Sequence, residues 1–133
     1  MSKIVWMFPG QGAQKAGMAK DFYENSTLAR QLFDEADAAL DFDLKDTCFE
    51  ENEQIHLTEY TQPCLVTACL AMAAELRKRG FRPDMTAGLS LGEYAAIAAA
   101  GGMSPLDAIR LVRKRGLLMQ NTIPAGEGAM CAV

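Results

Sequence analysis

The stretch Gly88-Leu89-Ser90-Leu91-Gly92 decides how this chain is interpreted, because it has the G-x-S-x-G form of a nucleophile elbow. In such an elbow a serine stands on a sharp turn between a strand and a helix, and small flanking residues avoid clashes with the neighbouring backbone. A short apolar segment precedes Gly88 and an alanine-rich segment follows Gly92. The pattern predicts that Ser90 is a nucleophile at a helix N-terminus, where free N–H groups favour an oxyanion. The alternative is a tight turn in which Ser90 only caps the helix.

The group that should activate this serine is missing from the sequence. A serine hydroxyl is a weak nucleophile until a base takes its proton, and histidine is the usual base. No histidine follows Ser90, and the single histidine of the chain, His56, precedes it. We interpret His56 as a surface residue. The sequence therefore predicts part of an acyl-transfer site without its base.

Short apolar segments alternate with helical patterns along the chain. The apolar run 4–8 predicts a strand buried on both faces, and 85–87 predicts a second strand that enters the elbow. This alternation favours an α/β fold with a mostly parallel sheet and helices on both faces. Two strands are too few for a closed core, and we expect a third to start over 130–133 and to be cut short there. Helices are predicted over 18–23, 27–40, 61–79, 94–100 and 104–121, with a loop over 41–60. In the helix 61–79, Thr61 is the predicted N-cap and Pro63 lies in the predicted first turn.

Composition and charge exclude several classes of protein. The 133 residues include 13 basic and 17 acidic ones, and no basic stripe with aromatic residues indicates a nucleic-acid partner. The longest mostly apolar run, 64–74, is shorter than the roughly 18 residues of a membrane span, and no secretory signal follows Met1. The cysteine spacing fits neither a metal site nor a disulfide framework. We expect a cytoplasmic, metal-free protein, whose basic clusters at 77–82 and 110–115 are solvated helix ends.

The turn Phe8-Pro9-Gly10-Gln11-Gly12-Ala13-Gln14 follows the first strand and is a candidate for part of the same site. Its glycines allow the backbone to approach a ligand or another loop closely. Its spacing matches neither the G-x-G-x-x-G dinucleotide loop nor the Lys-Ser/Thr ending of a phosphate loop. A hydrolase-type site needs a second oxyanion N–H from a loop after another strand, and this turn is placed to supply it.

Four motifs in this order resemble the malonyl-CoA:acyl carrier protein transacylases, which load malonyl units for fatty acid synthesis. They are 8–14, Thr61-Gln62-Pro63, 88–94, and Arg115-Gly116 with Met119-Gln120. The resemblance implies that 1–133 is the N-terminal part of the large, α/β-hydrolase-like subdomain of an acyltransferase. It also implies that a small ferredoxin-like subdomain begins over 126–133.

The resemblance gives roles to the residues of the elbow and the turn. Ser90 would take the malonyl group from coenzyme A as an ester and pass it to the phosphopantetheine thiol of the acyl carrier protein. The backbone N–H groups of Gln11 and Leu91 would form the oxyanion hole. Leu91 after the serine is similar to the malonyl-selective form of the family, whereas glutamine there often accompanies methylmalonyl use. No cofactor is implied, since coenzyme A enters as the acyl donor.

Arg115 would bind the malonyl carboxylate, with Gln62 and Met119 in the same substrate-binding site. A guanidinium group binds a carboxylate through two parallel charge-assisted hydrogen bonds, which lysine cannot copy. Without the resemblance, Arg115 would be interpreted as a solvated helix residue. The chain departs from the family at Leu89, where histidine is common, a change that removes a polar neighbour of the serine without removing the nucleophile.

The larger departure is the missing catalytic histidine, which in this family lies far beyond Val133. We therefore expect the partners to be malonyl-CoA, the acyl carrier protein and the missing C-terminal portion of the same enzyme, without which the chain is nearly inactive. Three alternatives stay open. One is a polyketide-synthase-type acyltransferase, against which Met1-Ser2-Lys3 directly before the first strand favours a free-standing protein. The others are an esterase or thioesterase, and an inactive fragment that only binds coenzyme A or the carrier protein.

Overall fold

A computed structural model describes residues 2–129 and 131, and within them two strands and six helices form an α/β unit. Strands β1 (Val5–Phe8) and β2 (Met85–Gly88) pair in parallel, with Val5 opposite Met85 and Phe8 opposite Gly88. The parallel pairing confirms the predicted class of sheet. The helices are α1 (Lys20–Asn25), α2 (Thr27–Ala39), α3 (Leu44–Phe49), α4 (Thr58–Lys78), α5 (Gly92–Ala99) and α6 (Pro105–Thr122), and a 3₁₀ turn covers Gln54–His56.

The two faces of the sheet differ in burial. Phe8 is buried and Trp6 packs against the core, and Thr86 on the same face donates a hydrogen bond from Oγ1 to the carbonyl of Ala96 in α5 at 3.0 Å. On the opposite face Met7 is 81% exposed. The prediction of a first strand buried on both faces, with helices on both sides of the sheet, is therefore wrong for the described residues. The reason is that no element among them packs on the second face.

Helix α4 runs through the centre of the unit and packs against α2, α5 and α6, and each residue of 61–71 is buried. It begins at Thr58, so the predicted N-cap at Thr61 is wrong. Thr61 lies inside the helix, where its Oγ1 donates to the carbonyls of Ile55 at 2.6 Å and Leu57 at 3.0 Å. The helix starts earlier because an N–H group of its first turn, that of Thr58, has a hydrogen-bond acceptor in another part of the chain.

Pro63 is an interior residue of α4 and was predicted in its first turn. Proline has no N–H, so the carbonyl of Glu59, four residues earlier, has no partner within the helix. Arg113 of α6 supplies one, because its Nη1 donates to that carbonyl at 2.8 Å. The proline thus creates an acceptor that joins α4 to α6.

Arg113 corrects the interpretation of 110–115 as a solvated cluster, because it is buried. Its Nε and Nη2 donate to the two carboxylate oxygens of Asp41 at 2.9 and 3.0 Å, and its guanidinium carbon lies 4.8 Å from the ring centre of Phe42 and 5.1 Å from that of Tyr60. The hydrogen bond from Arg113 lowers the pKa of Asp41 below its ordinary value. No local pattern predicts this pair, because Asp41 lies 72 residues away from Arg113 along the chain.

Helix α6 begins as predicted and packs unusually close to α4. Ser104 caps it by accepting a hydrogen bond from the N–H of Asp107 at 3.1 Å. A Cβ atom on Gly116 would lie 2.9 Å from both the Cα of Glu59 and the carbonyl oxygen of Thr58. Glycine at this position therefore permits the close approach of the two helices.

The remaining predictions differ mainly at element ends. The predicted helix 18–23 is found at Lys20–Asn25, and the predicted loop 41–60 contains α3 and the 3₁₀ turn. Residues Met130, Ala132 and Val133 lie outside the described residues, so a strand over 130–133 and a ferredoxin-like subdomain from 126 stay predictions. None of the helices described is both long and apolar enough to cross a membrane.

Candidate active site

Ser90 stands on a strained turn between β2 and α5. Its φ of 50° lies in the left-handed region, which residues other than glycine rarely adopt. The N–H of Leu89 donates to the carbonyl of Phe8 at 3.1 Å, and the N–H of Glu93 donates to the carbonyl of Ser90 at 3.2 Å. The strand–turn–helix context predicted from the G-x-S-x-G pattern is therefore present, and it leaves Ser90 exposed.

The glycines of the elbow make room for close backbone contacts. A Cβ atom on Gly88 would overlap the carbonyl group of Gly92, and one on Gly92 would overlap the carbonyl group of Phe8. The elbow is therefore pressed against the end of β1. This contact brings the turn 8–14 next to Ser90.

Four of the residues predicted for the site form one hydrogen-bonded group. Arg115 Nη2 donates to Ser90 Oγ at 3.1 Å, and Arg115 Nη1 donates to Gln62 Oε1 at 2.9 Å. Gln62 is completely buried, and its Nε2 donates to Met119 Sδ at 3.3 Å. The amide of Gln62 is thus satisfied on both sides, and it holds the guanidinium of Arg115 toward the serine.

The alternative in which Ser90 merely caps α5 does not fit this geometry. Helix α5 has no hydrogen bond from a capping side chain, and its N-cap is Leu91. Ser90 Oγ instead accepts from Arg115. Arginine has no acceptor and stays protonated, so this contact cannot take the proton of the serine.

The two N–H groups predicted for the oxyanion hole lie on the turn and the elbow. Leu91 is buried at the start of α5, and Gln11 is exposed after β1. Within the described part of the chain, neither N–H donates a hydrogen bond. Neither group therefore has an acceptor among the described residues.

His56 lies on the 3₁₀ turn and is exposed, in agreement with its interpretation as a surface residue. Its side chain makes no hydrogen bond to any described residue. Among the described residues, Ser90 Oγ therefore accepts a hydrogen bond from Arg115 and has no hydrogen bond with a histidine. No group of three or more metal-binding side chains occurs among these residues either.

The structure adds three residues that sequence reasoning did not assign. The ring centre of Tyr94 lies 5.5 Å from the guanidinium carbon of Arg115. Tyr94 belongs to the motif 88–94, so the sequence indicated that it lies near the site. The sequence did not indicate that it contacts Arg115. Thr58 contacts both Gln11 and Gln120. Gln120 belongs to the motif with Met119, but nothing in the sequence indicated its contact with Thr58, which is far away along the chain.

One groove of the described structure lies along β1, and Ser90 is not among the residues that line it. It has a volume of about 650 Å³ and is lined by consecutive residues of β1 and by none of β2, so it follows the edge of β1 that faces away from β2. Its apolar lining includes Phe22, Leu65, Cys69, Met72 and Leu76.

The sequence matches the family profile of the acyl transferase domain over residues 5–133. The chain belongs to the acyl transferase domain family. The chain is 49% identical to the malonyl CoA-acyl carrier protein transacylase of Bacillus subtilis (strain 168), with an alignment covering 100% of this chain and 42% of that protein. The resemblance stated from the motifs is thus confirmed.

Solved structures agree with this assignment. The chain matches the malonyl CoA-acyl carrier protein transacylase of Clostridium perfringens with a TM-score of 0.87 and 37% identity, over 94% of this chain and 40% of that one. It also matches a malonyl-transacylase in complex with a type II polyketide synthase acyl-carrier protein, with a TM-score of 0.86 and 38% identity, over 94% of this chain and 41% of that one. The chain therefore spans about two fifths of the length of these relatives.

Proposed function

We propose that these residues form the nucleophile-bearing part of an enzyme that transfers a malonyl group from coenzyme A to an acyl carrier protein through an ester on Ser90. The observation that supports this best is the Arg115 guanidinium, hydrogen-bonded to both Ser90 and the buried Gln62. A fixed positive fork beside a nucleophile suits an acyl group that ends in a carboxylate. Malonyl is such a group, and the relatives are malonyl transacylases by name.

The proposed reaction has two acyl transfers. In the first, Ser90 Oγ attacks the thioester carbonyl while a base takes its proton, the C–S bond breaks, and coenzyme A leaves as the thiol after receiving that proton. In the second, the phosphopantetheine thiol of the carrier protein gives its proton to the base and attacks the ester, and Ser90 leaves as the hydroxyl. The N–H groups of Gln11 and Leu91 stabilise the oxyanion in both steps.

In this proposal Arg115 also binds the carboxylate of the malonyl group. One of its N–H groups donates to Ser90 Oγ. A bound carboxylate accepts two parallel hydrogen bonds from the same fork and competes for that N–H. Gln62 keeps the guanidinium oriented during this exchange, and the thioether of Met119 occupies the other side of the amide.

We propose that a further portion of the enzyme, covalently continuous or separate, supplies the base. Three observations support this. The chain spans 42% of its Bacillus subtilis relative, and no histidine of the described residues is hydrogen-bonded to Ser90. Among the described residues β1 pairs only with β2, and an apolar groove of about 650 Å³ lies along it. The added portion would pack along that groove and over the exposed face of the sheet. This arrangement would complete the α/β-hydrolase-like subdomain predicted from the motifs.

The alternatives differ in what receives the acyl group. A polyketide-type carrier stays possible, since one matched transacylase is in complex with a type II polyketide synthase carrier. An esterase would use water in the second step. An inactive binding fragment fits less well, because a strained backbone at Ser90 has no purpose in a binding module. Malonyl-CoA acts as a substrate throughout, and a cytoplasmic location stays a prediction.

The test uses a fused enzyme, defined here as the 133-residue chain joined to the remaining C-terminal part of the Bacillus subtilis relative. The fused enzyme is incubated with malonyl-CoA and a phosphopantetheinylated acyl carrier protein, and the products are weighed by mass spectrometry. The proposal expects malonyl carrier protein, and none with Ser90→Ala. Free malonate as the main product would indicate a thioesterase instead, and unchanged transfer by Ser90→Ala would exclude the ester on this residue.

A further inference from the structure

The N-terminus of α4 is completed by a side chain from another helix. The first N–H groups of a helix have no acceptor within it, and a side chain just before the helix usually supplies one. The N-cap of α4 is Leu57, whose side chain cannot accept a hydrogen bond. Instead the N–H of Thr58 donates to Gln120 Oε1 of α6 at 3.1 Å, across 62 residues of sequence.

Thr58 also holds the turn that follows β1. Gln11 Nε2 donates to Thr58 Oγ1 at 2.9 Å. The other hydrogen bonds within 10–14 stay inside the turn: Gly12 N–H donates to Gln14 Oε1 at 2.7 Å, and Ala13 N–H donates to the carbonyl of Gly10 at 3.4 Å. Among the described residues, the contact with Thr58 is therefore the hydrogen bond that ties the tip of the turn to another element.

The close packing of α4 and α6 makes this arrangement possible. Gly116 lies against the carbonyl of Thr58, and Gln120 is one helical turn further along the same face of α6. The helix that carries Arg115 therefore also carries the residue that fixes the start of α4. Gln120, Thr58 and Gln11 form a continuous connection between α6, α4 and the turn.

We propose that Thr58 and Gln120 are positioning residues that hold Gln11, and with it the backbone N–H at the mouth of the site, in one orientation. The catalytic consequence rests on the proposed function, in which this N–H stabilises the oxyanion. An oxyanion donor acts mainly in the transition state, so a loosened turn lowers kcat while leaving KM nearly unchanged. A purely structural role would lower the stability of the fold without this split.

The first test needs no catalysis and uses matched variants of the chain. Thr58→Val removes the hydroxyl at constant shape and keeps the backbone N–H, whereas Thr58→Ser keeps the hydroxyl. ¹⁵N relaxation gives the order parameters of the backbone N–H groups of Gln11 and Gly12. We expect a fall from about 0.85 to below about 0.6 in Thr58→Val and no fall in Thr58→Ser. Equal order parameters in the wild type and Thr58→Val would overturn the proposal.

Gln120 provides an independent pair of variants. Gln120→Ala removes the acceptor for the N–H of Thr58, and Gln120→Glu keeps an acceptor oxygen at a helix N-terminus, where negative charge is favourable. We expect Gln120→Ala to raise the mobility of the turn and Gln120→Glu to restore the wild-type order parameters. The same mobility in both variants would contradict a role for the accepting oxygen.

The second test measures kcat and KM of the fused enzyme. Loss of a whole oxyanion donor costs about 100- to 1000-fold in kcat, so a loosened one is expected to cost about tenfold in Thr58→Val, with KM within about twofold. Thr58→Ser should match the wild type, and an unchanged kcat in Thr58→Val would overturn the catalytic part of the proposal. If the wild-type fused enzyme transfers no malonyl group, the proposed function fails, and the order parameters still decide whether Thr58 and Gln120 position the turn.

Discussion

Arg115 contacts a hydroxyl, a buried amide and an aromatic ring. Its position in a basic cluster favours a solvated residue, and only the resemblance assigned it to a carboxylate. The structure places its guanidinium within hydrogen-bond distance of Ser90 and Gln62 and against the ring of Tyr94. These contacts restrict the guanidinium to one plane, which a two-pronged interaction with a carboxylate requires.

Arg115→Lys is expected to lower kcat/KM of the fused enzyme for malonyl-CoA by about 10- to 100-fold, because a charge-assisted hydrogen bond contributes about 1.5–3 kcal/mol and lysine cannot form the pair. Steady-state kinetics with malonyl-CoA and acetyl-CoA measure the effect. Lys114→Ala, on an exposed neighbour, is the control and should change little. An unaltered preference for malonyl-CoA over acetyl-CoA in Arg115→Ala would contradict the assigned role.

At the residue scale, the motifs identified side chains that lie together in the structure, because the elbow and the resemblance lie in local sequence. Ser90, Arg115, Gln62 and Met119 meet in one group in the structure, and their chemical roles stay predictions. Thr58 could not be found in this way. Its importance depends on partners 47 and 62 residues distant, which only the packing of α4 against α6 brings together.

The pairing of α4 with α6 is the element on which the site depends. Helix starts and ends were predicted within a few residues where the cap is local, as at Ser104. The start of α4 was predicted too late, because Gln120 satisfies its first N–H from another helix. Periodicity and capping rules describe a helix alone, so they miss ends that are completed by tertiary contacts.

Gly116→Ala should destabilise the chain although alanine is the better helix former. The new Cβ would lie 2.9 Å from backbone atoms of Thr58 and Glu59, so the helices must separate. Overpacking of this kind costs about 1–3 kcal/mol, against a propensity gain of about 1 kcal/mol. Urea denaturation measures the change, with Asn121→Ala at an exposed position of α6 as the control. A more stable Gly116→Ala variant would contradict the close approach of α6 to α4 at this position.

The ion pair between Arg113 and Asp41 joins α6 to the segment before α3 and predicts a pH effect. Arg113 lowers the pKa of Asp41 in the folded chain. The pair therefore stabilises the fold above the unfolded pKa of about 3.9, and this contribution is lost as the pH falls through the lower folded value.

Asp41→Asn should accordingly cost up to about 1 kcal/mol near neutral pH, since the carboxylate is largely exposed and screened. The free energies of unfolding of wild type and variant are compared between about pH 6 and about pH 3. We expect the difference to shrink toward the acid end. A difference that is constant over this range would show that the charge of Asp41 is not what stabilises the pair.

At the scale of the whole molecule, the open edge and face of the sheet are the main feature that sequence reasoning described only partly. The apolar run 4–8 was correctly assigned to a strand of a parallel sheet, but its exposure was not foreseen. A strand that is hydrophobic on both faces is typical of a sheet covered on both sides. The exposed Met7 and the groove along β1 therefore mark where the proposed remaining portion would pack.

Met7→Glu tests this surface. It puts a charge on a residue that is 81% exposed in the described structure, so the stability of the chain alone should change little. Binding to a separately produced C-terminal portion of the Bacillus subtilis relative, measured by calorimetry, should weaken by at least about tenfold, because a buried unpaired charge is costly. Leu28→Glu, on the outer side of α2, is the control. Equal affinities for Met7→Glu and the wild type would place the interface elsewhere.

The central claim is that Ser90 carries the acyl group. The most direct test is the intact mass of the fused enzyme before and after a brief incubation with malonyl-CoA, in the wild type and in Ser90→Ala. We predict one malonyl increment on the wild type and none on Ser90→Ala. An increment that persists in Ser90→Ala, or a fused enzyme that transfers malonyl to the carrier protein without ever carrying the increment, would contradict the account.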